Sequence, residues 1–272
     1  MTQPVRLFPP GSVALVGAGP GDPELLTLAA LRALENCDVV VYDALISDEI
    51  RALIPPGVTE IFAGKRGGLP SVNQTDICDT LIQLAREGRR VVRLKGGDPF
   101  LFGRGGEEAE RLVAEGIPFR VIPGVTAGIA GPAYAGIPVT HRSVNALVAF
   151  VTGHEATQSP ETANRLTGSR VDWESVARAF PVVVMYMAMK NLGMVCGRLM
   201  NGGMSPDLPV AVIRWATTPR QETLVSTLSQ VAAAVEHLQL EPPAIIVVGE
   251  VVRYRQSLSW YADQALTYPP LD

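Results

Sequence analysis

The chain is poor in the residues that would announce a disulfide framework, a metal or a nucleic-acid partner. Its three cysteines, Cys37, Cys78 and Cys196, lie far apart and form no C-x-x-C pair. That excludes a stapled scaffold and reads as three buried, reduced thiols in a cytoplasmic protein. The three histidines, His141, His154 and His237, lack metal-ligand spacing, so no metal is expected. Basic residues do not outnumber acidic ones, and the formal net charge is −4. Such a chain has no general attraction for nucleic acid, and an anionic ligand must be held by a local basic cluster. No apolar run approaches the length of a membrane span, and the first residues, MTQPVRLFPPGS, contain no apolar h-region. Neither a membrane partner nor a signal peptide is expected.

What is present is an alternation of short β-rich runs and longer helical patterns over 272 residues, enough for two compact domains. In the first half, strands are expected at Val13–Val16, Val39–Tyr42, Glu60–Phe62, Val91–Leu94 and Arg120–Ile122. Helices are expected at Pro23–Glu35, Thr75–Arg86, Gly106–Glu115 and Ala127–Ala135. Asp22 as N-cap and Pro23 at the first helical position mark the first helix start. Near-continuous apolar strands between helices predict an α/β fold with mostly parallel sheets, covered on both faces. The pattern restarts after Thr140-His141-Arg142. Strands are expected at Ala146–Thr152, Val182–Met187, Val210–Trp215 and Ala244–Val248, with a helix over Ser226–Leu238 and a polar insertion at Ala156–Arg170. The expected domains are residues 1–138 and 146–262, with the segment around the boundary lining an interdomain cleft.

The densest chemistry lies in VVRLKGGDPFLFGRGGEEAERL, residues 91–112. An apolar strand ends in Gly96-Gly97-Asp98-Pro99, and an aromatic turn leads through Gly103-Arg104-Gly105-Gly106 into a Glu-rich helix. Open α/β sheets bind ligands at the carboxyl ends of their strands. The two glycines would let a ligand touch backbone, and Asp98 can accept from hydroxyls or an ammonium, or merely cap the turn. Lys95 precedes the glycines, so Walker spacing is absent, and a neutral or cationic nucleoside fits better than a triphosphate. Arg104 and Glu107 share a helix face, either as a surface ion pair or as part of a site. Glu108 and Glu110 read as solvated, and Arg111 as a partner for Glu107.

Other loops repeat the theme. Gly17-Ala18-Gly19-Pro20-Gly21-Asp22 departs from the G-x-G-x-x-G dinucleotide pattern in its third glycine, and Pro20 removes an amide. Asp43 ends the second strand where a ribose-binding acid would stand. Pro123-Gly124-Val125-Thr126 precedes a helix that Thr126 could cap, and its hydroxyl could equally meet a ligand. Arg142 could hold a carboxylate bidentately. Lys65, Arg66, Arg104 and Arg142 on strand-end loops could together form a basic patch for a polyanionic substrate, or be scattered solvated cations. Met187, ending an apolar strand, reads as core by residue type, or as a strand-end residue whose backbone could hydrogen-bond a flat base.

GAGPGDPELLT, VVVYDALIS, GKR, RLKGGDPFLFGRGGEE, VIPGVTAG, AGIPVTHR, YMAM and WATTPRQ occur in this order. Together they resemble the uroporphyrinogen III C-methyltransferases of the tetrapyrrole methylase superfamily. The resemblance implies a cytoplasmic homodimer of two-domain α/β subunits that binds S-adenosylmethionine in the interdomain cleft. It places cofactor contacts on Pro20, Gly96, Gly97, Asp98, Leu101, Thr126, Ala127, Met187 and Ala216, where relatives often carry glycine at the last position. Asp43 and Lys65 match positions proposed as proton acceptor and donor, which displaces the ribose-binding reading of Asp43. The implied reaction is methylation of uroporphyrinogen III at two pyrrole carbons to precorrin-2, with S-adenosylhomocysteine as the other product. The product would feed sirohaem, cobalamin or haem d1. Arg104 and Arg142 would clamp substrate carboxylates while Glu107 or Asp43 takes the proton. The rivals are a sister precorrin methyltransferase, a ribose methylase of ribosomal RNA on the same fold, which would want a more basic surface, and a non-catalytic tetrapyrrole carrier. No dehydrogenase/ferrochelatase segment of the kind some relatives carry is seen.

Overall fold

A computed structural model describes residues 8–64, 74–154 and 171–268. Contacts divide the chain into two compact units, Met1–Thr126 and Ala127–Asp272.

In the first unit the elements alternate as expected: β1 (Ser12–Gly17), α1 (Leu28–Glu35), β2 (Val39–Tyr42), α2 (Asp48–Arg51), β3 (Thr59–Phe62), α3 (Gln74–Arg86), β4 (Arg90–Lys95), α4 (Gly105–Ala114) and β5 (Phe119–Ile122). The sheet order is β3-β2-β4-β1-β5, and every pairing is parallel. The loops that follow all five strands therefore leave one edge. Burial on both faces explains the apolar runs. Ala14, Val16, Val40, Val92 and Leu94 pack towards α1, and Val13, Leu15, Val39, Val41 and Val91 pack towards α3 and α4.

The expected helix over Pro23–Glu35 is split. Asp22 does cap its start, accepting the Glu24 N–H at 2.8 Å, but only a short 3-10 turn, Pro23–Leu25, follows. Thr27 then adopts extended backbone and accepts the Ala30 N–H at 3.1 Å, so that α1 begins afresh. An internal threonine with its own capping hydroxyl competes with helix continuation.

The second unit contains α5 (Ala127–Tyr134), β6 (Ala149–Thr152), α6 (Trp173–Ala179), β7 (Val183–Tyr186), α7 (Leu192–Asn201), β8 (Pro209–Arg214), β9 (Glu222–Thr227), α8 (Val231–His237), β10 (Ala244–Val248), α9 (Arg255–Leu258) and β11 (Gln264–Leu266). Its sheet runs β11-β9-β8-β10-β7-β6 and is mixed. β10 lies antiparallel to both neighbours, β8 and β9 are antiparallel, and the outer pairs are parallel. Parallel pairing thus characterises the first sheet and not the second. The segment read as one helix over Ser226–Leu238 is the end of β9, a turn and then α8. Helix α5 makes contacts with β7 and β10 and falls within the second of the two units. The polar stretch Ala156–Arg170 lies outside the described residues.

Candidate functional site

Three glycine-bearing loops meet at the carboxyl edge of the first sheet by backbone contact. The Gly97 N–H donates to the Gly19 carbonyl at 2.7 Å, and the Gly19 N–H returns a bond to Gly97 at 3.1 Å. A Cβ on Gly17 would stand 2.5 Å from Gly124 N and 2.6 Å from the Gly97 carbonyl oxygen. Gly17 and Gly124 are therefore required by loop-on-loop packing, while Gly19 and Gly97 take positive φ values of 74° and 66°. The paired groups of Gly97 are committed to Gly19, while Gly96 and Pro20 remain half-buried at the edge.

Asp98 ties two of these loops together. Its Oδ1 accepts the Phe100 N–H at 2.8 Å and its Oδ2 accepts the Gly124 N–H at 3.1 Å. The turn-capping role is real, and a carboxylate retains lone pairs for a further donor. Leu101 follows in the same turn, and Thr126 is buried just before α5.

Arg104 precedes α4 in left-handed conformation, with φ 60°. Its Nε and Nη2 fork onto Glu107 Oε1 and Oε2 at 3.0 and 2.6 Å. Both side chains are more than half exposed. The hydrogen bonds from Arg104 are the main cause that holds the Glu107 carboxyl below its ordinary range. Arg111 does not pair with Glu107. It reaches Asp79 and Glu115 at 3.3 and 3.1 Å.

Glu108, read from the sequence as solvated, is fully buried. Arg93 and Lys95 alternate along β4 and so emerge on one face of the sheet, with α4 above it. Glu108 Oε1 accepts from Arg93 Nε at 3.1 Å, Lys95 Nζ at 3.0 Å and Gln74 Nε2 at 3.0 Å. Arg93 Nη2 continues to Asp43 Oδ1 at 2.6 Å. Burial alone would weaken the hold of Arg93 on its proton, and the carboxylates of Asp43 and Glu108 more than offset it. Burial, reinforced by Arg93, pushes the Lys95 ammonium the other way, below its usual range.

In the second unit, β7 and β8 run in the same direction on either side of β10, so the residues after them share one edge. Met187 follows β7 with φ 54° and a half-exposed side chain, which corrects its reading as core. Ala216 follows β8 between Trp215 and Thr217, both at positive φ. The Gly128 N–H donates to the Tyr186 hydroxyl at 3.0 Å, and a Cβ on Gly131 would lie 3.1 Å from the Ala216 Cβ. Ala127, Met187 and Ala216 thus belong to one neighbourhood. Arg142 is exposed in a loop closed by bonds between His141 and Asn145. His141 is a structural hydrogen-bonder, with Nδ1 within 3.0 Å of the Tyr254 hydroxyl and 2.8 Å of the Ser143 hydroxyl. Lys65 and Arg66 lie outside the described residues. Among the described residues, no group of histidines, cysteines and carboxylates could hold a metal.

Among the described residues, five of the six non-glycine residues at positive φ (Phe102, Arg104, Met187, Trp215 and Thr217) follow β4, β7 or β8. Held strain of this kind concentrates at ligand sites. It was invisible in the sequence, because none of these residue types favours that conformation.

The family model described as Tetrapyrrole (Corrin/Porphyrin) Methylases matches residues 12–232. A Uroporphyrinogen-III C-methyltransferase of Sinorhizobium sp is 56% identical over 250 residues, which are 92% of this chain and 87% of that one. A Siroheme synthase of Neisseria meningitidis is 46% identical over 255 residues, 94% of this chain but 50% of its own length. The chain therefore spans half of that relative. A crystal structure of Uroporphyrin-III C-methyl transferase from Thermus thermophilus, complexed with S-adenyl homocysteine, superposes with a TM-score of 0.73 at 37% identity, covering 89% of this chain and 99% of that one. With a match that runs from β1 into α8, and relatives alike over nearly their whole shared length, the chain belongs to the tetrapyrrole methylase family.

Proposed function

We propose that this chain transfers methyl groups from S-adenosylmethionine to two pyrrole carbons of uroporphyrinogen III, giving precorrin-2. The observation that carries the reading is the strained, glycine-lined set of strand ends, in a chain 56% identical to a uroporphyrinogen-III C-methyltransferase.

The residues fit a phosphate-free donor. The one lysine of the β4 elbow, Lys95, is turned beneath the sheet onto Glu108 and leaves no ammonium for a phosphate. Pro20, Gly96, Gly97, Asp98, Leu101 and Thr126 of the first unit, with Ala127, Met187 and Ala216 of the second, would hold the donor. For Gly97 the N–H is committed to Gly19, whereas the carbonyl oxygen keeps a second lone pair. S-adenosylmethionine supplies an electrophilic methyl group. Alignment of two bound reactants is worth several kcal/mol, on the order of 7–11 in favourable cases.

Arg104 and Arg142 would receive the carboxylates of the substrate. The Arg104–Glu107 fork is exposed, and exposed pairs are weak enough for a substrate carboxylate to compete. Asp43 is the better proton acceptor of the two candidates. Glu107 has both oxygens on Arg104, whereas Asp43 Oδ2 has no hydrogen-bond partner among the described residues and the side chain is 29% exposed. The methylated carbon becomes quaternary and leaves the macrocycle cationic; a proton lost from a neighbouring position of the macrocycle would bond to Asp43 Oδ2, while the electron pair of the broken bond stays in the macrocycle and neutralises that charge. Lys65 as proton donor remains part of the proposal.

The reading includes a homodimer in the cytoplasm. Cys37, Cys78 and Cys196 are buried free thiols, and no helix among the described residues is long and apolar enough to cross a membrane. Incubation with labelled S-adenosylmethionine and uroporphyrinogen III, followed by mass analysis, tests the activity. Two added methyls are expected; methylation of a later precorrin alone would point to a sister enzyme, and binding without transfer to a carrier. Sedimentation of the full chain tests the dimer, which a monomer at working concentration would overturn.

A further inference from the structure

Asp43, Arg93, Glu108 and Lys95 form one alternating chain of charge beneath the carboxyl edge of the first sheet. The links are 2.6, 3.1 and 3.0 Å long in that order. Its inner end is closed to water. Glu108 is fully buried, and the side chains of Arg93 and Lys95 are 2% and 4% exposed. Its outer end is Asp43, the half-buried carboxylate at the tip of β2. Two cations balance two anions, so the chain carries no net charge into the core.

The pattern of bonds gives the chain a direction. Three donors converge on Glu108 Oε1, from α3 (Gln74) and from β4 (Arg93 and Lys95). Arg93 Nη1 is further placed within 3.4 Å of the Val41 and Leu94 carbonyls. The guanidinium is a rigid plane, so fixing Nε and Nη1 also fixes Nη2. Among the described residues, Asp43 Oδ1 is held by that Nη2 alone. Its Oδ2 consequently points where the Arg93 plane sets it. Proton transfer to a carboxylate depends on such placement before it depends on basicity.

We propose that Glu108 is a positioning residue: acting through Arg93, it orients the Asp43 carboxylate whose free oxygen accepts the proton. The proposal rests on the reading of Asp43 as proton acceptor, and the experiment separates the two. Glu108 touches neither reactant, so its effect should appear in turnover and vanish when Asp43 can no longer accept a proton. The charged groups that face Asp43 among the described residues are Arg93 and Lys95 from β4 and, behind them, Glu108 from α4.

The test is a double-mutant cycle on the full chain with Glu108→Gln, Asp43→Asn and both together. The readouts are kcat, KM for each reactant and S-adenosylhomocysteine binding. Glu108→Gln should lower kcat about tenfold and leave both KM values within about twofold, and added to Asp43→Asn it should change kcat less than about twofold. If the two substitutions multiply, or if Glu108→Gln raises KM with kcat unchanged, the positioning role is wrong although Asp43 still accepts the proton. If Asp43→Asn turns over like wild type, the acceptor reading itself fails and takes the inference with it. Should Glu108→Gln not fold, as judged by the loss of cooperative unfolding, Arg93→Lys replaces it under the same criteria. That variant keeps the charge and removes the rigid fork.

Discussion

Asp98 and Gly124 join the β4 elbow to the loop after β5, with the Gly124 N–H donating to Asp98 Oδ2 at 3.1 Å. The other oxygen of the same carboxylate receives the Phe100 N–H, so one side chain holds both the bend of its own loop and its distance from the next. Asp98→Ala should cost about 2–3 kcal/mol, since each bond to a charged acceptor is worth about 1.5–3 kcal/mol when well shielded and less here at half exposure. Urea unfolding reads that cost. Binding of S-adenosylhomocysteine should weaken in parallel, and unchanged binding would detach Asp98 from the donor site.

Glycine substitutions should divide sharply by position. Gly17→Ala places a methyl 2.5 Å from a backbone nitrogen and should destabilise by about 1–3 kcal/mol or more, as overpacking does. Gly106, in the first turn of α4, has no atom within 4 Å of a built Cβ. Gly106→Ala should be neutral or stabilise by up to about 0.5–1 kcal/mol through helix propensity. Thermal unfolding of the two variants checks the contrast.

The Arg104–Glu107 pair should matter to substrate and little to stability. Arg104→Ala should cost under about 1 kcal/mol at neutral pH, because the pair is exposed and screened. Arg104 holds the Glu107 carboxyl below its ordinary value of 4.5. The stabilisation is therefore present above that pH and is lost as pH falls through the depressed value. The difference in unfolding free energy between wild type and Arg104→Ala should close well below pH 4.5. KM for the tetrapyrrole should rise in this variant at neutral pH with S-adenosylhomocysteine affinity unchanged.

Met187 should show opposed effects on stability and binding. A left-handed conformation costs a non-glycine residue about 1–2 kcal/mol. Met187→Gly should raise the unfolding midpoint and weaken S-adenosylhomocysteine binding, as calorimetry of both would show. Stabilisation with full binding would mean that the side chain serves no ligand.

Much of the first unit was legible because parallel strands covered on both faces are continuous apolar runs. The expected Val39–Tyr42 is β2 to the residue, and Val91–Leu94 falls one residue short of β4 at each end. The second unit was harder. The residues of β9, Glu-Thr-Leu-Val-Ser-Thr, run within four residues of a true helix, and antiparallel pairing with the preceding strand, β8, decides their state. The glycine and aspartate motifs marked loops that meet at the carboxyl edge of the first sheet, but not the reason for each glycine. Glu108 was missed because its neighbours Glu107 and Glu110 are solvent-facing. Two signs of its burial were present all the same. Arg93 and Lys95 sit within an apolar strand and require a buried carboxylate, and Glu108 stands one helical turn before the core residue Leu112.

The mutual contact of Gly17, Gly97 and Gly124 also bears on how such a site can be redesigned. Loops that touch through side chains can be exchanged one at a time, because a rotamer change absorbs the misfit. These touch through main chain, where nothing shorter can be substituted. A graft meant to alter substrate choice would have to carry the loops after β1, β4 and β5 together from a single source, and a library that varies one of them in length should return mostly unfolded chains.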